Sequence, residues 1–390
     1  MRRIKLTEKE INHLINKVVL KESGIRDIKK LAQRYPKAEI YFHQDTDGVA
    51  TAIAMREYLK NNGIETVDSH VIQYGEKEFQ VKKPDATGDV MPVLVDFAHG
   101  KPQFTIHTDH HDSQSGVEKD TSTQFRGARS NVETISQVVS PQDIFPNEDI
   151  AMISAVDSAD FVKHGIKPED VMNFMLNIDK QKSSFENKKM IGLLANKLLL
   201  AYKNKPDFLE SLVMNSSPSL LNILINIKKI ASEKGYATPE EMLQNQTDYI
   251  ERQKDSDKVK YEDGIISQYG GGYLMKPGSY DRYVPFKNHP DANFFVIAWP
   301  MGLVQASCNP FKEKITVDRI KWTSERKTEE FSSGFGLADL KAFYGDKLEG
   351  IDLSKDSSYV NLFKDIMDKP QNKLSDKQQS DVNLAINPCI

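Results

Sequence analysis

His43-Gln44-Asp45-Thr46-Asp47-Gly48 follows a short β-type run, Ala38–Phe42, and precedes a helical pattern that ends at Gly63. About sixty residues on, the chain carries Asp109-His110-His111, and Asp96 closes an apolar run, Met91–Phe97, between the two. Six of the nine histidines fall between His43 and His111, so imidazoles and carboxylates concentrate at the expected ends of successive strands. Residues 43, 45 and 47 alternate, which in extended backbone puts their side chains on one side, roughly 6–7 Å apart per step. In open α/β sheets, groups at the carboxyl ends of strands share one crevice. This pattern demands a layered α/β sheet, and it collects ligands there for hard divalent cations.

The rest of the first 163 residues fits that demand. Ile11, Leu14, Ile15 and Val18 space residues 7–34 as a surface helix. Val67–Gln73, Met91–Phe97 and Phe104–Thr108 read as strands, the second apolar enough for a sheet covered on both faces. Ser130-Asn131-Val132-Glu133 is a capping box opening a helix with Val132, Ile135, Val138 and Val139 on its apolar face. Asp149–Val162 reads as a helix carrying Asp157 and Asp160. Strands alternating with helices predict an α/β domain, 1–163, with a largely parallel sheet.

From 164 to 260 the strand signal vanishes and a helical connector is expected. Ser217-Pro218 supplies a cap and first-turn proline for Leu220–Ile230, and Thr238-Pro239 repeats the device. Beyond it, Gly264–Gln268, Arg282–Phe286, Phe294–Trp299 and Leu303–Ser307 read as strands of a smaller C-terminal α+β domain, 261–369. There Ser332-Ser333-Gly334-Phe335-Gly336 reads as a glycine-bearing turn before a helix at about 337–343. Residues 370–390 form a polar tail.

Composition narrows the function. A formal charge of −4 argues against a broad basic face that holds duplex nucleic acid by phosphate neutralisation. It leaves room for a nucleotide held through bound cations, which reverse the sign of an acidic site. Cys308 and Cys389 are the only cysteines, so neither a disulfide framework nor a thiolate zinc site is expected. Met1-Arg2-Arg3-Ile4-Lys5 lacks the apolar stretch of a signal peptide, and no window reaches the ~18 apolar residues of a membrane span. A soluble cytoplasmic protein in a reducing compartment is the expectation, without membrane partners.

Carboxylate oxygen with imidazole nitrogen suits Mn2+ and also admits Mg2+ or Co2+. Two such ions roughly 3.5–4 Å apart, bridged by a carboxylate such as Asp96, activate water and stabilise a leaving oxygen. They also offset the repulsion among the clustered carboxylates. Adjacent side chains diverge, so His111 is free to contact a phosphate oxygen or protonate the leaving group while His110 faces a metal. A plain turn at Asp45–Gly48 or an isolated strand-end aspartate is the bland reading of each piece alone. The pieces in order favour a dinuclear site.

The order His-x-Asp-x-Asp-Gly, strand-end Asp, Asp-His-His and later Asp resembles the four motifs of the DHH phosphoesterase superfamily. That family includes RecJ-type single-strand exonucleases, oligoribonucleases, cyclic-dinucleotide phosphodiesterases and manganese pyrophosphatases. The resemblance implies that His43 and Asp45 bind one metal, that Asp47, His110 and Asp157 bind the other, and that Asp96 bridges them. Asp109 then supports the histidines and His111 faces the scissile phosphate. The two-residue spacing of His43 from Asp45 looks like the exonucleases, whereas Asp157-Ser158-Ala159-Asp160-Phe161 resembles the oligoribonuclease form, with Asp160 the alternative to Asp157. In the C-terminal part Asn309 stands where relatives carry an arginine. The family's run of glycines followed by histidine is reduced to Ser333, Gly334 and Gly336, offered with Arg126 and Arg129 as candidate phosphate contacts.

The resemblance makes end-directed hydrolysis of single-stranded DNA or RNA the first expectation. Hydrolysis of short oligonucleotides, a nucleoside bisphosphate or a cyclic dinucleotide is the alternative. A catalytically silent metal-binding interaction module is the reading from another class. Tyr269, Tyr273, Tyr283 and Trp299 are candidates for base stacking, with core packing as their competing role.

Overall fold

A computed structural model describes residues 28–72, 88–97, 104–110, 123–125, 128–137, 144–158, 185–242, 259–262, 264–269, 284–298, 304–309, 311–312 and 332–335, with Ile25, Val139 and a few positions within 244–248. Backbone contacts divide the chain into two units, one of Met1–Asp157 with Ile191–Thr238, the other of Ser158–Met190 with Pro239–Ile390.

In the first unit, strand β1 (Lys37–His43) alternates strictly: Ala38, Ile40 and Phe42 are fully buried, while Glu39, Tyr41 and His43 are half-buried on the other side. Each of the two larger buried side chains contributes about 1.5–3 kcal/mol of apolar burial. β2 (Glu65–Ile72), β3 (Val90–Val95), β4 (Ile106–Asp109) and β5 (Thr123–Phe125) complete an entirely parallel sheet of order β2-β1-β3-β4-β5. The apolar run at 91–97 becomes a central strand, buried at every residue of β3 after Val90, as its composition requires. The strand order reverses between β1 and β3, so the carboxyl ends of those two strands flank a topological switch point. His43 closes β1, and Asp96 follows β3 directly.

Helix α1 (Ile28–Arg34) precedes the sheet, and the expected helix over 7–34 otherwise lies outside the described residues. α2 (Thr46–Asn61) follows β1 after two residues, with Asp45 as its N-cap, and ends before Gly63, whose φ is +82°. α3 (Asn131–Ser136) is capped by Ser130, whose Oγ accepts from the Glu133 N–H. It ends before Val138 and Val139, shorter than the apolar spacing suggests. α4 (Asn147–Asp157) closes on Asp157, earlier than the expected Val162.

The stretch expected as a connector supplies α5 (Phe185–Tyr202), α6 (Pro206–Asn215) and α7 (Leu220–Glu233). From Ile191 onward these helices belong to the first unit, where α6 packs on β2 and α2. Ser217-Pro218 does not cap α7 as expected. Ser219 is the N-cap, and Asp149 of α4 accepts from the Leu220 N–H at 3.0 Å, a carboxylate placed where the helix N-terminus favours one. Among the described residues no helix is long and apolar enough to cross a membrane.

The second unit contains a mixed sheet of order β10-β9-β8-β7-β6, with β6 (Val259–Glu262), β7 (Ile265–Tyr269), β8 (Phe294–Ala298), β9 (Val304–Cys308) and β10 (Ser332–Phe335). Only β7 and β8 run parallel. Two expectations need correction here. Arg282–Phe286 does not form a strand, because Val284–Asn288 is the helix α8, which tolerates Pro285 in its first turn and buries Phe286 completely. Ser332–Phe335 is not a turn but the edge strand β10, with Ser333 opposite Ala306 and Gly334 opposite Gln305. The expected helix at 337–343 and the tail lie outside the described residues.

Candidate metal centre

Six side chains from four segments meet at the switch point, in two groups whose nitrogen and oxygen donors lie within 4.8 Å of one another. His43, Asp45 and Asp96 form the first group; Asp47, His110 and Asp157 form the second. His110 joins them, its Nε2 lying 3.6 Å from Asp47 Oδ2, 3.3 Å from Asp157 Oδ2 and 3.5 Å from Asp96 Oδ1.

Local backbone chemistry sets each donor. Asp45 caps α2 by accepting from the Gly48 N–H at 2.9 Å, and its other oxygen lies 2.8 Å from His43 Nδ1. Gly48 has no positive φ, so the sharp turn is not what requires it. A Cβ there would lie 2.2 Å from the His43 carbonyl oxygen, and only glycine permits that approach. Asp47 is buried, with Oδ2 accepting from Asn131 N–H at 2.5 Å and Oδ1 from Val132 N–H at 2.9 Å. Those two donors are among the unsatisfied N–H groups at the start of α3, so the capping box supplies a clamp for a carboxylate on a different helix.

His110 Nδ1 lies 3.1 Å from the Ala128 carbonyl, an acceptor only, so this nitrogen donates, and Nε2 is the ring nitrogen turned toward the carboxylates. Asp109 Oδ1 accepts from the His110 N–H at 2.9 Å. Asp96 is the one non-glycine residue at positive φ, +53°, among the described residues. A left-handed aspartate costs roughly 1–2 kcal/mol. Here the turn is pinned by the Asp96 N–H, which donates to the Thr108 carbonyl at 2.9 Å.

The electrostatics of the chain alone are unfavourable. Burial, then Asp47, Asp45, Asp157 and Asp109 in turn, push the Asp96 carboxyl well above the usual carboxylate range. Burial raises Asp47 as well. Burial also works against ionised Asp45, but His43 beside it and the Gly48 N–H outweigh this and hold its carboxyl low. Asp157 sits at the carboxyl end of α4, where the helix dipole disfavours an anion. Asp96 Oδ1, fully buried, has no hydrogen-bond donor. A stranded buried oxygen, a carboxylate at the wrong helix end and an imidazole nitrogen aimed among carboxylates all fit divalent cations. The oxygen and nitrogen donor set, without thiolate, fits Mn2+ or Mg2+.

The other candidate residues fall differently. His111, Arg126, Asp160, Gly336, Tyr273, Tyr283 and Trp299 lie outside the described residues. Arg129 is exposed, and its guanidinium lies 3.4 Å from Glu133. Ser333 and Gly334 belong to the second unit, in β10. Asn309, buried there, donates to the Pro290 and Ala292 carbonyls at 3.2 and 2.9 Å and accepts from Phe311 N–H at 3.0 Å. All its polar atoms are spent on backbone, so it holds a loop. Two partners of the site escaped the sequence reading: Asn131, marked there only as a helix start, and Thr46, which donates to Asn196 Oδ1 of α5 at 2.8 Å.

No protein-family model and no curated protein matches the sequence. Among solved structures the chain is similar to RecJ in complex with Mn2+ from Thermus thermophilus, at 11% identity and TM-score 0.47, over 84% of this chain and 52% of that one. It is similar to a structure of exonuclease RecJ bound to manganese, at 10% identity and TM-score 0.48, over 92% and 97%. A third is the DHH domain of a member of the s1p family of ribosomal proteins, at 11% identity and TM-score 0.45, over 93% and 91%. The chain spans about half the length of the Thermus protein. These are structures of RecJ and of a DHH domain.

Proposed function

We propose that this chain is a two-metal phosphoesterase of the DHH type that hydrolyses single-stranded nucleic acid from an end. The reading is carried by the two adjoining donor groups, His43/Asp45/Asp96 and Asp47/His110/Asp157, at one switch point. His43 and Asp45 would hold one cation, Asp47, His110 and Asp157 the other, with Asp96 between them. Two divalent ions, Mn2+ by preference, supply Lewis acidity at a phosphoryl oxygen and lower the pKa of water.

The chain supplies position and protons. Ala128 fixes the orientation of the His110 ring, Asp109 fixes its backbone, and the α3 N–H groups fix Asp47. His111, next in sequence, is assigned the proton that the departing ester oxygen must gain. The two-residue spacing of His43 from Asp45 favours the exonuclease-like substrate.

A second reading, hydrolysis of short oligonucleotides, a bisphosphate or a cyclic dinucleotide, draws support from Arg129. Its guanidinium is paired with Glu133, so it offers a long phosphate backbone little. One assay separates the two: product length over time in Mn2+, with an end-labelled single-stranded oligomer, a dinucleotide, a cyclic dinucleotide and pyrophosphate in parallel. Stepwise shortening of the oligomer is expected. Fast cleavage of dimers with slow attack on the long strand would favour the second reading. No cleavage of any substrate, with metal bound, would leave a silent metal-binding module.

A further inference from the structure

Asn131 is buried, and its four polar atoms are used unevenly. Its backbone N–H donates to Asp47 Oδ2 at 2.5 Å, the oxygen that faces His110 Nε2. Its side-chain amide Nδ2 donates twice to Thr108, to the carbonyl at 3.1 Å and to Oγ1 at 3.0 Å. The same Thr108 carbonyl accepts from the Asp96 N–H, so Asn131 and the left-handed Asp96 share one acceptor. Reversing the amide would set Oδ1 against that carbonyl, which fixes the assignment of Nδ2. Oδ1 is left without a hydrogen-bond partner in a fully buried setting. A stranded buried acceptor costs roughly 1–3 kcal/mol, which alanine or serine at this position would avoid.

The geometry points to Asn131 as a positioning residue for the second cation. It ties the start of α3, which clamps Asp47, to the end of β4, which carries His110 and anchors Asp96. Another tie between the two segments is the hydrogen bond from His110 Nδ1 to the Ala128 carbonyl, two residues before the α3 cap. Residues that orient metal ligands from behind typically change metal affinity 10- to 100-fold when lost. Asn131→Ala keeps the backbone N–H to Asp47 but frees α3 from Thr108, which leaves the Ala128 contact to hold His110 in register with Asp47. This inference rests on the two-metal reading above.

The test is calorimetric titration of the metal-stripped full chain with Mn2+, beside thermal melts in chelator. The unaltered protein should bind two ions. Asn131→Ala should weaken one of them about 10-fold or more and leave the other within twofold. In a His43→Ala background, which cripples the first group, the remaining ion should be the one that Asn131→Ala weakens. A role confined to folding would lower the melting temperature and leave the affinity of the folded protein unchanged. Both ions binding within twofold of normal to folded Asn131→Ala overturns the inference. If that variant does not fold, Asn131→Leu decides, since it fills the space without a donor for Thr108: weakening of one ion supports the inference and unchanged binding overturns it. An unaltered protein that binds no Mn2+ defeats the two-metal reading itself, a different result from either.

Discussion

The backbone of Gly48 runs so close beneath the carbonyl of His43 that a methyl group at Gly48 would lie 2.2 Å from the His43 oxygen. The last residue of β1 and the first turn of α2 are thereby held together, and Asp45 and Asp47, between them in sequence, enter different donor groups. The spacing of the hexapeptide is a packing constraint as much as a ligand pattern.

Gly48→Ala should therefore displace backbone against backbone. A cost of about 1–3 kcal/mol in stability is expected, as for overpacking elsewhere, together with loss of Mn2+ binding. Gly63→Ala is the control. Its φ of +82° adds strain, but nothing lies within 4 Å of the new methyl, so about 1–2 kcal/mol should be lost with metal binding intact. Chemical denaturation and Mn2+ titration of both variants check the contrast; equal metal affinities would contradict it.

Asp96 sets a pH dependence. Its carboxyl is raised in the folded state, first by burial and then by its acidic neighbours. Its contribution to stability is full below the unfolded value of about 3.9 and is lost as pH rises through the folded value. Asp45, held low, contributes in the opposite sense, above the unfolded value, and loses its share only as pH falls through its folded value. Above about pH 4 the decline from Asp96 therefore persists. In chelator, Asp96→Asn should melt higher than the unaltered chain at pH 8, and the gain should shrink toward pH 5. An identical pH slope for the two proteins counts against the repulsion.

Asn309→Ala removes two donated and one accepted hydrogen bond from a buried side chain in the second unit. Stranding those backbone groups should cost about 1–3 kcal/mol in stability. Turnover per folded molecule should stay unchanged, because Asn309 has no polar atom left for a substrate. A rise in KM at unaltered stability would return it to the substrate site.

Much of the first unit was legible because its signals are local and reinforce one another. The β-type run at Ala38–Phe42, the apolar run of β3 and the glycine stop at Gly63 each say one thing. What stayed hidden depends on contacts made at a distance. The cap of α7 comes partly from Asp149, seventy-one residues away, and the expected cap, Ser217, lies two residues short of the observed N-cap Ser219. Arg282–Phe286 has β-type residues, but Pro285 fits the first turn of a helix and Phe286 has a core to enter. Gly334 looked like turn chemistry, yet an edge strand accepts it. The left-handed Asp96 and the clamp from Asn131 carry no sequence mark, since both follow from how β3, β4 and α3 end beside one another.

Metal content tests the central claim most directly. The protein, stripped with chelator, reloaded with Mn2+ and freed of excess ion, should hold two ions per chain by elemental analysis. Asp96→Asn and His110→Ala should each hold fewer, because both lie where the two groups meet. A chain that retains no divalent ion after reloading would contradict the account.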